Sequence, residues 1–220
     1  MPPYSSVIQT LDPILQQQLQ DEFLLWQHSP LWGPHSLPLI NCANTPMYLS
    51  GNMQVFGQGL TFWLRHITHD WHLTADNTKL WPITMQTIMS IVGTRKLGRI
   101  FCHMLQPGNS ILRHNDQKLP FRYQIANRYH LYLDIHQDIS ILLDEKITDN
   151  SQISNSVLDF NWLLDHEYIN NSNKPFAFFV FDVVTDDVVI KNSQGPNSSR
   201  ESMAMSWYHL RDSNSPPLRS

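Results

Sequence analysis

From Leu97 to Asp182 the chain repeats one pattern, and that pattern leaves few folds open. Short runs rich in branched and aromatic residues follow one another: "LGRIFCHML", "SILRH", "NRYHLYLDI", "ISILLDE", "SVLDFNWLLD" and "KPFAFFVFDVV". Turn-forming stretches such as "QPGN" separate them, so they read as successive strands. The third run alternates, with Tyr129, Leu131, Leu133 and Ile135 on one face and Arg128, His130, Tyr132 and Asp134 on the other. Ahead of the strands lie two helical signals. Residues 10–27 place Ile14, Leu15, Leu19, Phe23, Leu24 and Trp26 near helical spacing, with Asp12 as N-cap and Pro13 in the first turn. Pro82 to Val92 gives a second helix ended by Gly93. Helices first and antiparallel strands afterwards predict a mainly β fold with N-terminal helical support, a β-sandwich or jelly roll.

At 220 residues the chain suits one domain over residues 1–210. Within it, about 1–96 would be helical and loop support and about 97–192 the β core. "HSPLWGPHSLPLINCANTPMYLSGN" reads as a long ordered loop, the stretch from Ser193 as loop, and residues 211–220 as a disordered tail. No internal repeat is present. A net charge of −4 with acids and bases interspersed lacks the basic footprint of a nucleic-acid binder. The N-terminus has no basic segment leading into an apolar run, and no apolar stretch approaches the roughly twenty residues of a membrane helix. Cys42 and Cys102 suit a reducing compartment as small buried hydrophobes. The expectation is a cytoplasmic protein without membrane or nucleic-acid partners.

Chemistry enters at "ILRHNDQ". His114 and Asp116 are two residues apart on a strand, so they project together. An imidazole and a carboxylate aimed at one point make a poor core and half a metal site. His166, at the end of the run "SVLDFNWLLD", is the candidate third ligand. Two histidines and one carboxylate, with the other coordination positions open, are the facial triad of non-haem Fe(II) oxygenases.

These pieces resemble the Fe(II)/2-oxoglutarate-dependent oxygenases, in particular their aspartyl/asparaginyl β-hydroxylase and small-molecule prolyl hydroxylase branch. "LQPGNSILRHND" is similar to that group's L-x-P-G-x-x-I-x-x-H-x-D, "NRYHLYLDI" to its R-x-H-L-x-L strand, and "WLLDHEYINNS" to W-x-x-D…H-x-V-x-N-x-S. The resemblance implies a double-stranded β-helix of the cupin type, Fe(II) as cofactor, 2-oxoglutarate and O₂ as cosubstrates, and hydroxylation of an amino acid, a peptidyl residue or a small metabolite. It assigns His114, Asp116 and His166 to iron, and Arg128 and His130 to the carboxylates of 2-oxoglutarate. The group carries a further basic residue about ten positions after the distal histidine. Phe176 stands there, and Lys174, two residues earlier, is expected to replace it.

Other readings stand beside this one. His66, His69 and His72 would gather on one face if their segment were helical, and His69 with Asp70 could form an acid–base pair. The Glu of the zincin pattern is missing, however. Asn192 could mimic the asparagine after the distal histidine, but no histidine precedes it. Trp26, Trp32, Trp63, Trp71 and Trp81 are core residues or pocket lining. Two alternative functions are a non-catalytic β-sandwich binding module and a cupin-like metal enzyme that does not use 2-oxoglutarate.

Overall fold

The computed structural model describes residues 5–34, 59–67, 71–116, 124–143 and 146–192. Strand β1 (Ser6–Thr10) precedes helix α1 (Pro13–Trp26). The Asp12 carboxylate starts the helix by accepting from the amides of Ile14 and Leu15, both at 3.0 Å. After β2 (Gly33–Pro34) come β3 (Leu60–Ile67) and β4 (His72–Asp76), then helix α2 (Pro82–Val92). The N-terminal part is therefore more than helical and loop support, because β1, β3 and β4 all join the sheet. The segment around His66 and His72 is two antiparallel strands, so helical spacing does not gather these residues. His69 and Asp70, Cys42, most of the long loop and everything from Ser193 lie outside the described residues.

The core follows as β5 (Leu97–Leu105), β6 (Ser110–His114), β7 (Ile125–Tyr132), β8 (Ile139–Leu143), β9 (Lys146–Ile147), the short helix α3 (Asn150–Ile153), β10 (Ser156–Asp159), β11 (His166–Asn170), β12 (Phe176–Val184) and β13 (Lys191–Asn192). Two sheets form. The larger runs β1-β10-β7-β12-β5-β3-β4-β13, with β2 on β3, and the smaller runs β6-β11-β8-β9. From β5 to β12 the chain passes back and forth between the sheets, and these pairs are antiparallel. That winding is the double-stranded β-helix. Its β5–β6 turn uses Pro107 and then Gly108 at φ 79, a backbone position open to glycine.

β12 is buried along its whole length, for a simple reason. Phe179, Phe181 and Val183 pack with Leu19, Trp81 and Ile88 on the helical side. Phe176, Phe178 and Val180 face the smaller sheet with Ile111, Ile141 and Tyr168. β7 is sandwiched in the same way, so the face that carries Arg128 and His130 points between the sheets. A strand covered on both sides reads as a continuous apolar run, as "FAFFVF" does. Among the described residues no helix is long and apolar enough to cross a membrane.

Candidate metal centre

The smaller sheet brings the first two histidines together through its register: His166 of β11 sits opposite His114 of β6. His166 opens its own strand rather than ending the previous one, because β10 stops at Asp159 and a turn through Asn161–Leu164 intervenes. Asp116 lies just beyond β6, and its amide donates to the Trp162 carbonyl at 3.0 Å. One ligand atom from each of His114, Asp116 and His166 lies within 4.8 Å of the others. The alternate residues point away: Arg113 and Asn115 both donate to the Asp165 carboxylate, at 3.1 and 2.7 Å. The neighbours of the triad thus brace β6 against the start of β11.

The donor set suits a divalent metal. His114 Nδ1 lies 2.7 Å from the Leu112 carbonyl and His166 Nδ1 3.0 Å from that of Leu164. A carbonyl only accepts, so each Nδ1 carries the proton and each Nε2 keeps its lone pair. Burial, partly offset by Asp116, holds the His166 pKa down to about 4, so the ring stays neutral and able to ligate. Burial would raise the Asp116 pKa, but the charged groups around it, Arg128 first, outweigh it, and the carboxyl stays ionised.

Arg128 holds that carboxylate. Its Nη1 donates to Asp116 Oδ2, which leaves Oδ1 on the side of His114 Nε2, 3.7 Å away. The other edge of Arg128 is gripped by Asp182, with Nε to Oδ1 at 2.7 Å and Nη2 to Oδ2 at 3.2 Å. Arg99 closes the chain through Nε and Nη2 to Asp182 Oδ2, at 2.9 and 2.7 Å. β5 and β12 come close there because Gly98 has no side chain. A Cβ on it would lie 2.9 Å from Val184 Cγ1 and 3.1 Å from the Asp182 carbonyl. The two guanidinium and two carboxylate charges cancel. A divalent cation on the triad would give the cluster two positive charges, a match for a dianionic ligand.

The remaining expected residues divide. His130 faces inward, stacked on Phe160 at 3.7 Å, with Nδ1 3.2 Å from the Tyr132 hydroxyl and 3.1 Å from that of Tyr168. Lys174 does not join the site. It is exposed in the β11–β12 loop, where its carbonyl accepts from Asn170 and Ser172. Phe176 is buried among Tyr132, Tyr168 and Phe178. Sequence reading missed the roles of Asp182 and Arg99, whose contacts depend on sheet order. The one available signal was that both sit in otherwise apolar strands. Trp63 stands on the inner face against Phe101 and His66, while Trp26, Trp32 and Trp81 pack in the helical layer.

The family model for aspartyl/asparaginyl beta-hydroxylase matches residues 15–186. The chain belongs to the aspartyl/asparaginyl β-hydroxylase family. One solved structure agrees on the fold of this β-hydroxylase family member. A Trichoplax adhaerens prolyl hydroxylase, solved with a peptide fragment of the hypoxia inducible factor oxygen degradation domain, is 13% identical. It aligns over 83% of this chain and 84% of its own, with a TM-score of 0.55. A Pseudomonas putida prolyl-4-hydroxylase is also 13% identical, over 82% and 92% of the two chains, with a TM-score of 0.48. A 2OG-Fe(II) oxygenase family protein from Burkholderia pseudomallei is 9% identical, over 57% and 68%, with a TM-score of 0.44. No curated protein matches the sequence.

Proposed function

We propose that this β-hydroxylase family member is an Fe(II)- and 2-oxoglutarate-dependent oxygenase that hydroxylates an amino acid, a peptidyl residue or a small metabolite. The observation that carries the reading is the convergence of His114, Asp116 and His166 beside a charge-balanced cluster, inside a double-stranded β-helix. When bound, iron with 2-oxoglutarate and O₂ supplies the oxidation of a C–H bond, the keto acid leaving as succinate and CO₂. The chain supplies the rest. His114 and His166 offer Nε2 lone pairs, and Asp116 offers Oδ1 while Arg128 holds Oδ2. Asp182 keeps Arg128 from turning. Phe160, Tyr168 and Phe178 pack around His130 and His166, an apolar setting that strengthens each charge interaction there. A second reading, a non-catalytic β-sandwich binding module of this fold, is favoured by Phe176 standing where the family carries a base. Succinate formation separates the two. Purified protein with Fe(II), ascorbate and O₂ should convert 2-oxoglutarate slowly to succinate, and faster with an amino-acid or peptide substrate. His114→Ala and Asp116→Ala should abolish it. Stoichiometric iron without succinate under any condition would move the assignment to the second reading.

A further inference from the structure

The chain's negative charge is gathered in one place. From Asp134 to Asp149 the sequence holds five acids and one base, Lys146, and the rest of the chain has fourteen of each. This stretch forms β8 and β9 with the turns around them. A cleft of about 660 Å³ opens there, between the β7–β8 turn, Ile147, the start of α3 and Asn171. Asp138 and Asp149 line it, and among the described residues no lysine or arginine does. Neither carboxylate is matched by a cation. Asp149 accepts from the Ser151 amide and hydroxyl, at 3.0 and 2.7 Å. Asp138 Oδ2 lies 3.4 Å from His136 Nδ1, a nitrogen that accepts from the Asp138 amide at 3.2 Å. Asn150 also lines the cleft. Its Nδ2 donates to the His136 and Ile139 carbonyls, at 3.2 and 2.6 Å, and its Oδ1 is buried without a partner. Two carboxylates and an orphaned amide oxygen ask for a group that only donates, as an ammonium or guanidinium does. Ile147, 77% exposed, offers the apolar contact that the stem of such a side chain takes.

The ladder sets the scale of the occupant. Ile139 stands opposite Asn170 at the cleft, and Leu143 opposite His166 at the metal centre. Four residues of strand, about 13 Å, separate the two ends, farther than a free amino acid reaches. Among the described residues β9 pairs with β8 alone, so its outer edge can take an extended segment. We propose that the cleft docks a lysine or arginine side chain of a peptide or protein substrate, about four or more residues from the one that enters the metal centre. That the docked segment is a substrate rests on the oxygenase reading above; the docking itself does not.

The test uses the full chain without added metal and two labelled octapeptides, one alternating serine with lysine, the other serine with glutamine. Fluorescence anisotropy at about 0.15 M salt keeps distant charges screened. The parent should bind the lysine peptide about tenfold more tightly, and amide exchange should slow over Ile147–Ser151. Asp138→Asn/Asp149→Asn should erase the preference, while asparagine still caps α3. Asp21→Asn/Asp186→Asn removes the same charge elsewhere and should bind as the parent does. If both double variants lose affinity equally, the attraction is to net charge and the cleft is not the site. Equal binding of the two peptides by the parent, or protection away from the cleft, overturns the proposal as well. None of these readouts involves iron. Lysine peptide held at the cleft, with no succinate from the iron-loaded chain under any condition, would remove the oxygenase reading and with it the substrate role, leaving the docking site. Succinate formation without any lysine preference would remove the docking site and leave that reading.

Discussion

Asp182 accepts four hydrogen bonds from two guanidinium groups and has no solvent exposure. Removing it takes a carboxylate partner from each of two buried cations, a change that costs about 3–5 kcal/mol. Asp182→Ala should lower the urea midpoint accordingly. It should also weaken divalent metal binding by about tenfold or more, since Arg128 would no longer be held against Asp116. An unchanged metal affinity would mean that Asp116 needs no such support. His66 gives a second prediction at this scale. Burial, then Arg99, pushes its pKa from 6.5 to about 4, and burial pushes that of His130 well below 6.5. The unfolded chain takes up these protons near pH 6.5 and the folded chain does not. Their contribution to stability is therefore complete above about pH 6.5 and is lost as the pH falls toward 4. Urea titrations of metal-free protein should show that decline, and His66→Phe should flatten it. A variant with the parent's slope would place the proton uptake elsewhere.

Helix α2 has no side-chain cap of its own, since Trp81 precedes it. Glu22 of α1 takes that role. Its carboxylate accepts from the amides of Ile83 and Thr84, both at 2.8 Å, and from the Thr84 hydroxyl at 2.6 Å. The negative charge also suits the helix N-terminus. Glu22→Ala should cost about 1–3 kcal/mol in thermal or urea unfolding, and Glu22→Gln less, because one oxygen still accepts. An Ala variant as stable as the parent would show that water replaces the carboxylate. This link was invisible in the sequence because its partners are far apart along the chain. Helices α1 and α2, the strands after Leu97 and the His114–Asp116–His166 set were legible, since period and spacing are local. β3 was not. "LTFWLRHI" bulges against β5, so its pattern breaks at Leu64, and the histidines that follow invited a helical reading. Lys174 was misplaced for a related reason. Same-face logic holds only within a strand, and β12 begins at Phe176, after the Asn170–Lys174 turn.

At the scale of the whole molecule, the metal should act as a folding ligand. A site closed by β6, β11 and the Asp116 segment exists only when the small sheet is paired, so a divalent ion binds the folded chain alone. At a hundredfold excess over its dissociation constant it should add about 2.7 kcal/mol of stability. A rise in melting temperature with Mn(II) or Fe(II) should vanish in His114→Ala and persist in His72→Ala. A shift that survives His114→Ala would place the stabilising ion at another position. The pairing of β1 with β10 has a different consequence, one of timing. Ser6 meets Asp159 and Thr10 meets Ser156, so β1 must wait on the ribosome until β10 has emerged. The backbone amides and carbonyls of β1 that face β10 stay unpaired through that interval, available to any other unpaired strand edge. A chaperone that holds extended segments would find a client in β1 during synthesis.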